Sequence, residues 1–367
     1  MREHIIAEDY RCGVPVPVTQ AIDNELQCDR IRHTLLLLNH TMKHTKDHNL
    51  KEHNLKEHNL KAHNVCESAD VVANDTETTE FKRNTRLLQA LWREKQALPI
   101  GSQPMRPREG KPTRPLGSRI ELEAARASGA NFLTDCVRDA VSNRIANPQP
   151  HQTLDEDRLY CDLLSSMPLC FNLFGELAAD LSLADMAVHA WWPDTPGTVA
   201  SVEFEWSPGR GLKGEYLENR SAFDVAFILD TGNGKKGVIG VETKYHEHPR
   251  RMPRPYDDRL RRYRNVAAES GVMDENTVTA LLGTELQQVW LDHLLALSML
   301  HHPSEVWTWA KFILVYPSRN PGFAAVARRY GELLPEPDTF GVSTVEDLLD
   351  AGVLPAELTA AFRERYL

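Results

Sequence analysis

The chain is poor in the features that mark specialised classes of protein. Its 367 residues include six cysteines, at positions 12, 28, 66, 136, 161 and 170, and no two form a Cys-x-x-Cys pair. Such sparse usage excludes a disulfide scaffold and fits a reducing compartment. No apolar run approaches the ~18 residues of a membrane-spanning helix. The leucine run at 35–38 is far too short, and it lacks the small-residue cleavage site of a signal peptide. A cytoplasmic location, with no membrane partner, is the expectation. Positive charge is outweighed, with 42 Lys and Arg against 52 Asp and Glu. The formal net charge is −10, which argues at first against a nucleic-acid binder. The chain does have an ordinary globular composition, 41% apolar and 26% charged. Its length allows two domains, or one large domain with extensions.

The distribution of charge changes the first impression. Residues 82–119 hold ten Lys or Arg against two acids, and residues 249–264 hold seven Arg against two Asp. Those two stretches carry +8 and +5, leaving −23 for the remainder. A chain polarised in this way can present basic surface despite an acidic total, although charge runs are also commonly just solvated loops.

Residues 1–80 do not read as a domain. His48-Asn49-Leu50-Lys51-Glu52 recurs at 53–57 and, nearly intact, at 58–62. A period of five keeps Leu50, Leu55 and Leu60 on no common face of a helix or a strand. The segment is expected to be a low-complexity, disordered extension, and its histidines are read as compositional rather than metal-binding. Residues 81–150 are expected to form a helical N-terminal region, with helices near 81–98, 120–128 and 131–145. Residues 151–335 carry the informative pattern: helices, then strands at 198–206, 222–229 and 237–245, a long helix at 277–301, a strand at 307–316 and a helix at 322–333. The order α-β-β-β-α-β implies an α/β fold, a mixed sheet flanked by helices. Residues 336–367 are expected to be a helical tail.

Two strands joined by a Gly-rich turn bear charge where a buried sheet should have none. Asp224 interrupts the apolar run 223–229, and Glu242 and Lys244 are two apart on the next strand, so they share a face. Ionised groups are rare in core strands unless they are paired or hold a metal. Two adjacent carboxylates repel one another, and a divalent cation removes that repulsion. Mg²⁺, or Mn²⁺, takes one or two carboxylates, several waters and a phosphate oxygen. A neighbouring lysine can stabilise charge on a phosphorane or orient the attacking water. The set therefore suits metal-assisted phosphodiester hydrolysis. A structural ion pair of Lys244 with an acid is the alternative. Pairing Asp224 with Glu242 requires position numbers that sum to an even value. A two-residue Asn233-Gly234 turn gives an odd one, so a three-residue loop or a bulge is needed.

Asp224, Glu242-Thr243-Lys244 and the α-β-β-β-α-β order together resemble the PD-(D/E)XK nuclease superfamily. The wider chain is similar to bacterial restriction-endonuclease-like proteins, through stretches such as Leu91-Trp92-Arg93-Glu94-Lys95-Gln96, Phe171-Asn172-Leu173-Phe174-Gly175 and Ser207-Pro208-Gly209-Arg210. Phe223 stands where the motif name places Pro. The resemblance implies a restriction-endonuclease-like core that hydrolyses DNA. It implies Asp224 and Glu242 as metal ligands, the Thr243 carbonyl as a third, and Lys244 as base or electrostatic stabiliser. Glu176 matches the additional acid of some members, and Gln287 or Gln288 a glutamine used by RecB-like ones. Arg250, Arg251, Arg254, Arg259, Arg261 and Arg262 are expected to contact phosphates. His246 and His248 at His-x-His spacing suggest zinc only weakly, and a solvated pair at the strand end is the expectation. The resulting expectation is a Mg²⁺-dependent, restriction-type endonuclease. A restriction role would need an unlinked methyltransferase or other defence protein, and an oligomer is compatible with it. A non-catalytic nucleic-acid-binding or assembly module on the same fold, and an RNA-directed activity, are the rival readings.

Overall fold

The computed structural model describes residues 79–102, 115–152, 154–335 and 338–367. The repeats at 48–62 and the greater part of the 1–80 extension lie outside them. Strand β1 (Ile100–Ser102) and strand β2 (Pro115–Ile120) form an antiparallel pair within the 81–150 region expected to be helical. Before it runs helix α1 (Glu80–Lys95), capped by the Thr79 side chain. After it come α2 (Leu122–Ser128), α3 (Asp135–Ala146), α4 (Glu156–Cys161), α5 (Ser166–Ala179) and α6 (Leu181–Trp191). Pro168 is the third residue of α5, within the first turn, where its missing N–H costs no helical bond.

The central sheet has five strands in the order β3 (Thr198–Trp206), β4 (Phe223–Gly232), β5 (Lys235–Thr243), β6 (Trp307–Tyr316) and β7 (Phe340–Thr344). The pairs β3–β4 and β4–β5 are antiparallel, and β5–β6 and β6–β7 are parallel. Strand β7 falls in the expected helical tail, which also holds helices α11 (Val345–Asp350) and α12 (Ala356–Tyr366). Five residues running directly into a helix form too short an apolar pattern to separate a strand from a helix.

Alternation divides the core into two layers. Val225, Phe227 and Leu229 of β4 pack with α3, α5 and α6, together with α11 and α12. Ala226 and Ile228 pack on the other side, with α7 (Asp257–Ser270), α8 (Glu275–Leu281), α9 (Gln287–Leu300) and α10 (Pro321–Gly331). The single helix expected at 277–301 is two helices. Gly283 adopts φ +73° between them, a left-handed conformation that breaks the helix. The Gln287 side chain then accepts from the Gly283 N–H at 2.7 Å, holding the break.

The register of the β4–β5 hairpin depends on a bulge. Gly232 pairs with Lys235 across the two-residue Asn233-Gly234 turn, and the register shifts between Asp230 and Gly232. From there the ladder runs to Val225 opposite Val241, and Asp224 follows just beyond that last pair, bonded to Thr243. Phe223, where the motif name has Pro, lays its ring over Gly240. A Cβ built on Gly240 would lie 2.3 Å from that ring, so the strand needs glycine there.

Candidate active site

Asp224 is the second residue of β4 and Glu242 the penultimate residue of β5, so the antiparallel pairing brings both to one end of the sheet. The backbone N–H and the hydroxyl of Thr243 both donate to Oδ2 of Asp224, at 2.8 and 2.7 Å. Lys244 Nζ and Gln288 Nε2 both donate to Oε1 of Glu242, the latter at 2.8 Å. Among the described residues no donor reaches Oδ1 of Asp224 or Oε2 of Glu242. Each carboxylate is thus held by one oxygen and keeps the other for a ligand.

The pair is costly without one. Burial pushes the Glu242 carboxyl up to about 7, the Asp224 charge adds to the shift, and Lys244 opposes it. Asp224 is likewise raised by burial, against the pull of Lys244 and the Thr243 hydrogen bonds. Burial works against the Lys244 ammonium, but the charges of Glu242, Asp224 and Glu247 outweigh it and hold its pKa above the ordinary lysine value. Lys244 therefore stays protonated beside the two acids, and a proton-accepting role would require that field to be neutralised first.

These groups open into a cleft of about 760 Å³, whose lining includes Glu205, Asp224, Glu242, Lys244, Gln288 and Arg250. Glu205, at the end of β3, is an acid the sequence pattern did not single out. Burial, then the charges of Asp224 and Glu242, push it up to about 8. Asp292 lies one turn beyond Gln288 on α9. It is buried, its Oδ2 meets no hydrogen-bond donor among the described residues, and burial and the Glu242 charge hold its pKa well above the usual range. Glu247 ties the site to the N-terminal region. It accepts from Arg158 at 3.2 Å, from the Ser166 N–H at 3.1 Å and from the Tyr245 N–H at 2.8 Å.

The other sequence-predicted residues separate. Glu176 does not line the cleft. It lies against Cys136 of α3, where it raises the thiol pKa. Gln287 serves the helix break, donating also to the Pro253 carbonyl at 2.9 Å, so of the two glutamines Gln288 is the one at the acids. His246 is not solvated as expected: it is buried and lines the cleft, while His248 is exposed. The Arg run divides as well. Arg250 lines the cleft, and Arg251 lies near Glu285. The Arg254 stem packs beside Gly283. Arg259 and Arg261 are exposed on α7, a helix absent from the sequence pattern, and Arg262 donates to the Tyr216 carbonyl at 2.6 Å. Trp192 is core, its indole N–H donating to Ser343, and Trp206 and Trp307 pack edge to face.

Among the described residues there is no group of three or more His, Cys, Asp or Glu arranged to hold a metal ion. Two carboxylates with one unengaged oxygen each still fit a hard cation, which needs only one or two and completes its shell with water and phosphate oxygens. No cage of described side chains selects zinc or another soft metal there. Among the described residues no helix is long and apolar enough to cross a membrane.

The family model for the PD-(D/E)XK nuclease superfamily matches residues 73–367. No curated protein and no solved structure matches the chain.

Proposed function

The chain belongs to the PD-(D/E)XK nuclease superfamily, and from that premise we propose that it is a divalent-metal-dependent nuclease acting on DNA, of the restriction-endonuclease type. The observation that carries the reading is the pair of unengaged carboxylate oxygens, Asp224 Oδ1 and Glu242 Oε2, beside a protonated Lys244 in an open cleft. Asp224, Glu242 and the Thr243 carbonyl would hold Mg²⁺ or Mn²⁺. The bound cation would supply Lewis acidity for a phosphate oxygen and a lowered pKa for water.

The chain's own residues do the remaining work. Thr243 fixes the Asp224 carboxylate with two donors, so it is oriented before substrate arrives. Gln288 does the same for Glu242 from the opposite layer. Lys244 places a positive charge where negative charge builds on the phosphorane, and its proximity to Glu242 keeps it charged for that role. Arg250 and the exposed Arg259 and Arg261 would hold phosphates further along the strand. A restriction role would further need a methyltransferase or other defence protein as partner.

The test is a cleavage assay on supercoiled plasmid, linear duplex, single-stranded DNA and RNA, each with Mg²⁺, Mn²⁺ or EDTA. Metal-dependent cleavage of DNA that is lost in Asp224→Asn supports the proposal. Binding without cleavage under every metal condition would instead indicate a non-catalytic nucleic-acid-binding module, and cleavage confined to RNA would redirect the substrate.

A further inference from the structure

One wall of the cleft is built from outside the central sheet. Arg119 comes from β2, Arg158 from α4 and Arg86 from α1, and all three line the cavity that holds Asp224 and Glu242. His246, just beyond β5, completes this wall.

Buried nitrogens of Arg119 and His246 are out of balance here. Arg119 is 6% exposed, and neither its Nε nor its Nη1 makes a hydrogen bond with a described residue. It pairs with Asp162 at 3.2 Å, through one terminal nitrogen. His246 is 7% exposed, and its Nε2 is also without a hydrogen-bond partner among the described residues. A buried polar group left unmatched costs about 1–3 kcal/mol. Such a cost is commonly kept where a ligand resolves it.

The neighbours define the ligand. The field at His246 comes from Arg86 and Lys82, and the field at Asp162 from Arg119 and Arg158. Arg158 in turn acts on Glu205 beside the metal-binding acids. Arg86, Arg119 and Arg158 thus line the same cleft as the acids. A planar guanidinium with an uncommitted nitrogen, as in Arg119, matches the oxygens of a phosphate.

We propose that Arg119, Arg158, Arg86 and His246 form a phosphate-binding subsite, which seats a second phosphate of the substrate strand beside the scissile one. The inference rests on the nuclease reading for the identity of the strand, but the subsite itself requires no metal and no cleavage. The phosphate is either an internal diester or a terminal monoester.

The experiment measures thermal midpoints of the full-length, metal-free protein in sodium phosphate against sodium chloride at matched ionic strength and pH. The wild type is expected to show a saturable, phosphate-specific rise. Arg119→Gln/Asp162→Asn removes both members of the buried pair, so folding is preserved, and the rise is expected to weaken at least tenfold in apparent affinity. Arg158→Gln is the second variant, with the same expectation. Asp224→Asn is expected to keep the full response, which separates failure of the subsite from failure of the metal site. No phosphate-specific rise in the wild type, or an equal rise in both Arg variants, overturns the subsite. Titration with a thymidine dinucleotide carrying or lacking a 5′-phosphate then identifies the source. Tighter binding of the phosphorylated form assigns a terminal monoester, and equal binding an internal diester. Binding of neither dinucleotide overturns the proposal.

Discussion

Thr243 gives both its backbone N–H and its hydroxyl to a single oxygen of Asp224. The middle residue of the Glu-x-Lys triplet is thus more than a spacer between two functional side chains. Its hydroxyl lies on the far side of β5, also within 3.4 Å of the Ser166 carbonyl at the start of α5. Thr243→Val keeps the backbone donor and removes the hydroxyl. It should cost about 1 kcal/mol of stability. The same loss in metal binding should raise the Mg²⁺ concentration for half-maximal cleavage roughly fivefold, since about 1.4 kcal/mol corresponds to a factor of ten. Cleavage rates measured across a Mg²⁺ series check it.

The buried acids make the metal-free protein sensitive to alkali. Folded Glu242 and Glu205 keep their protons up to about 7 and about 8, whereas a free glutamate loses its proton near 4.5. The folded state then binds more protons than the unfolded one, so stability falls as pH rises through those values. His246 and His293 work the other way: burial holds them neutral when folded, so they favour folding increasingly as pH rises to about 6.5 and add nothing beyond. Between about pH 6.5 and 8.5 the fall is unopposed by them. Melting curves with EDTA should show the midpoint dropping across that window. Added Mg²⁺ should restore it more at pH 8.5 than at pH 6.5.

Glu205→Gln removes one like charge from the cleft. In metal-free protein it should raise the melting midpoint at pH 8.5 and leave it nearly unchanged at pH 5, where the native carboxyl is already protonated. A pair of melting curves at the two pH values decides this. An equal shift at both would mean that the residue acts through packing alone.

Gly240→Ala drives a methyl group into the Phe223 ring. Chemical denaturation should report a loss of about 1–3 kcal/mol, the usual cost of overpacking a closed core.

The acid pair was legible in the sequence because charge inside an apolar strand stands out, and parity required a bulge or a longer loop if Asp224 was to face Glu242. The structure places that bulge between Asp230 and Gly232. Strands β3 and β6 were legible from their alternating or continuous apolar runs, bounded by turn residues. Other features carry no local signal. Glu205 looks like Glu203, a polar residue on a half-buried strand, yet its φ of +47° breaks the strand geometry and it ends beside Asp224. Arg158 reaches the cleft from an element remote in sequence, so no spacing rule finds it, whereas Arg119 closes the basic stretch 82–119. Glu176 illustrates the reverse case. It sits on the helix before the sheet as the resemblance implies, but its turn of α5 faces α3 and Cys136.

The Arg run gives a graded expectation. Charge reversal at Arg250, inside the cleft, should weaken DNA binding most. Arg259→Glu with Arg261→Glu should flatten the slope of log affinity against log salt by roughly 0.9 for each phosphate that is no longer neutralised. Arg262→Glu should also lower stability, because it breaks the bond to the Tyr216 carbonyl. Filter binding over a salt series reads the first two, and a melting curve the third. A slope unchanged in the double variant would make the exposed face of α7 a solvated surface.

Calorimetric titration of Mg²⁺ into the wild type, Glu242→Ala and Lys244→Ala tests the central claim most directly. Glu242 is read as a ligand and Lys244 as a charge beside the ligands. The wild type should bind Mg²⁺, Glu242→Ala should bind it at least tenfold more weakly, and Lys244→Ala should bind it as tightly or more tightly while losing cleavage. If Asp224, Glu242 and Lys244 were only a buried ionic cluster, the wild type would bind no Mg²⁺. Either substitution would then cost roughly 3–5 kcal/mol of stability from the charge left unpaired, a result that would contradict the account.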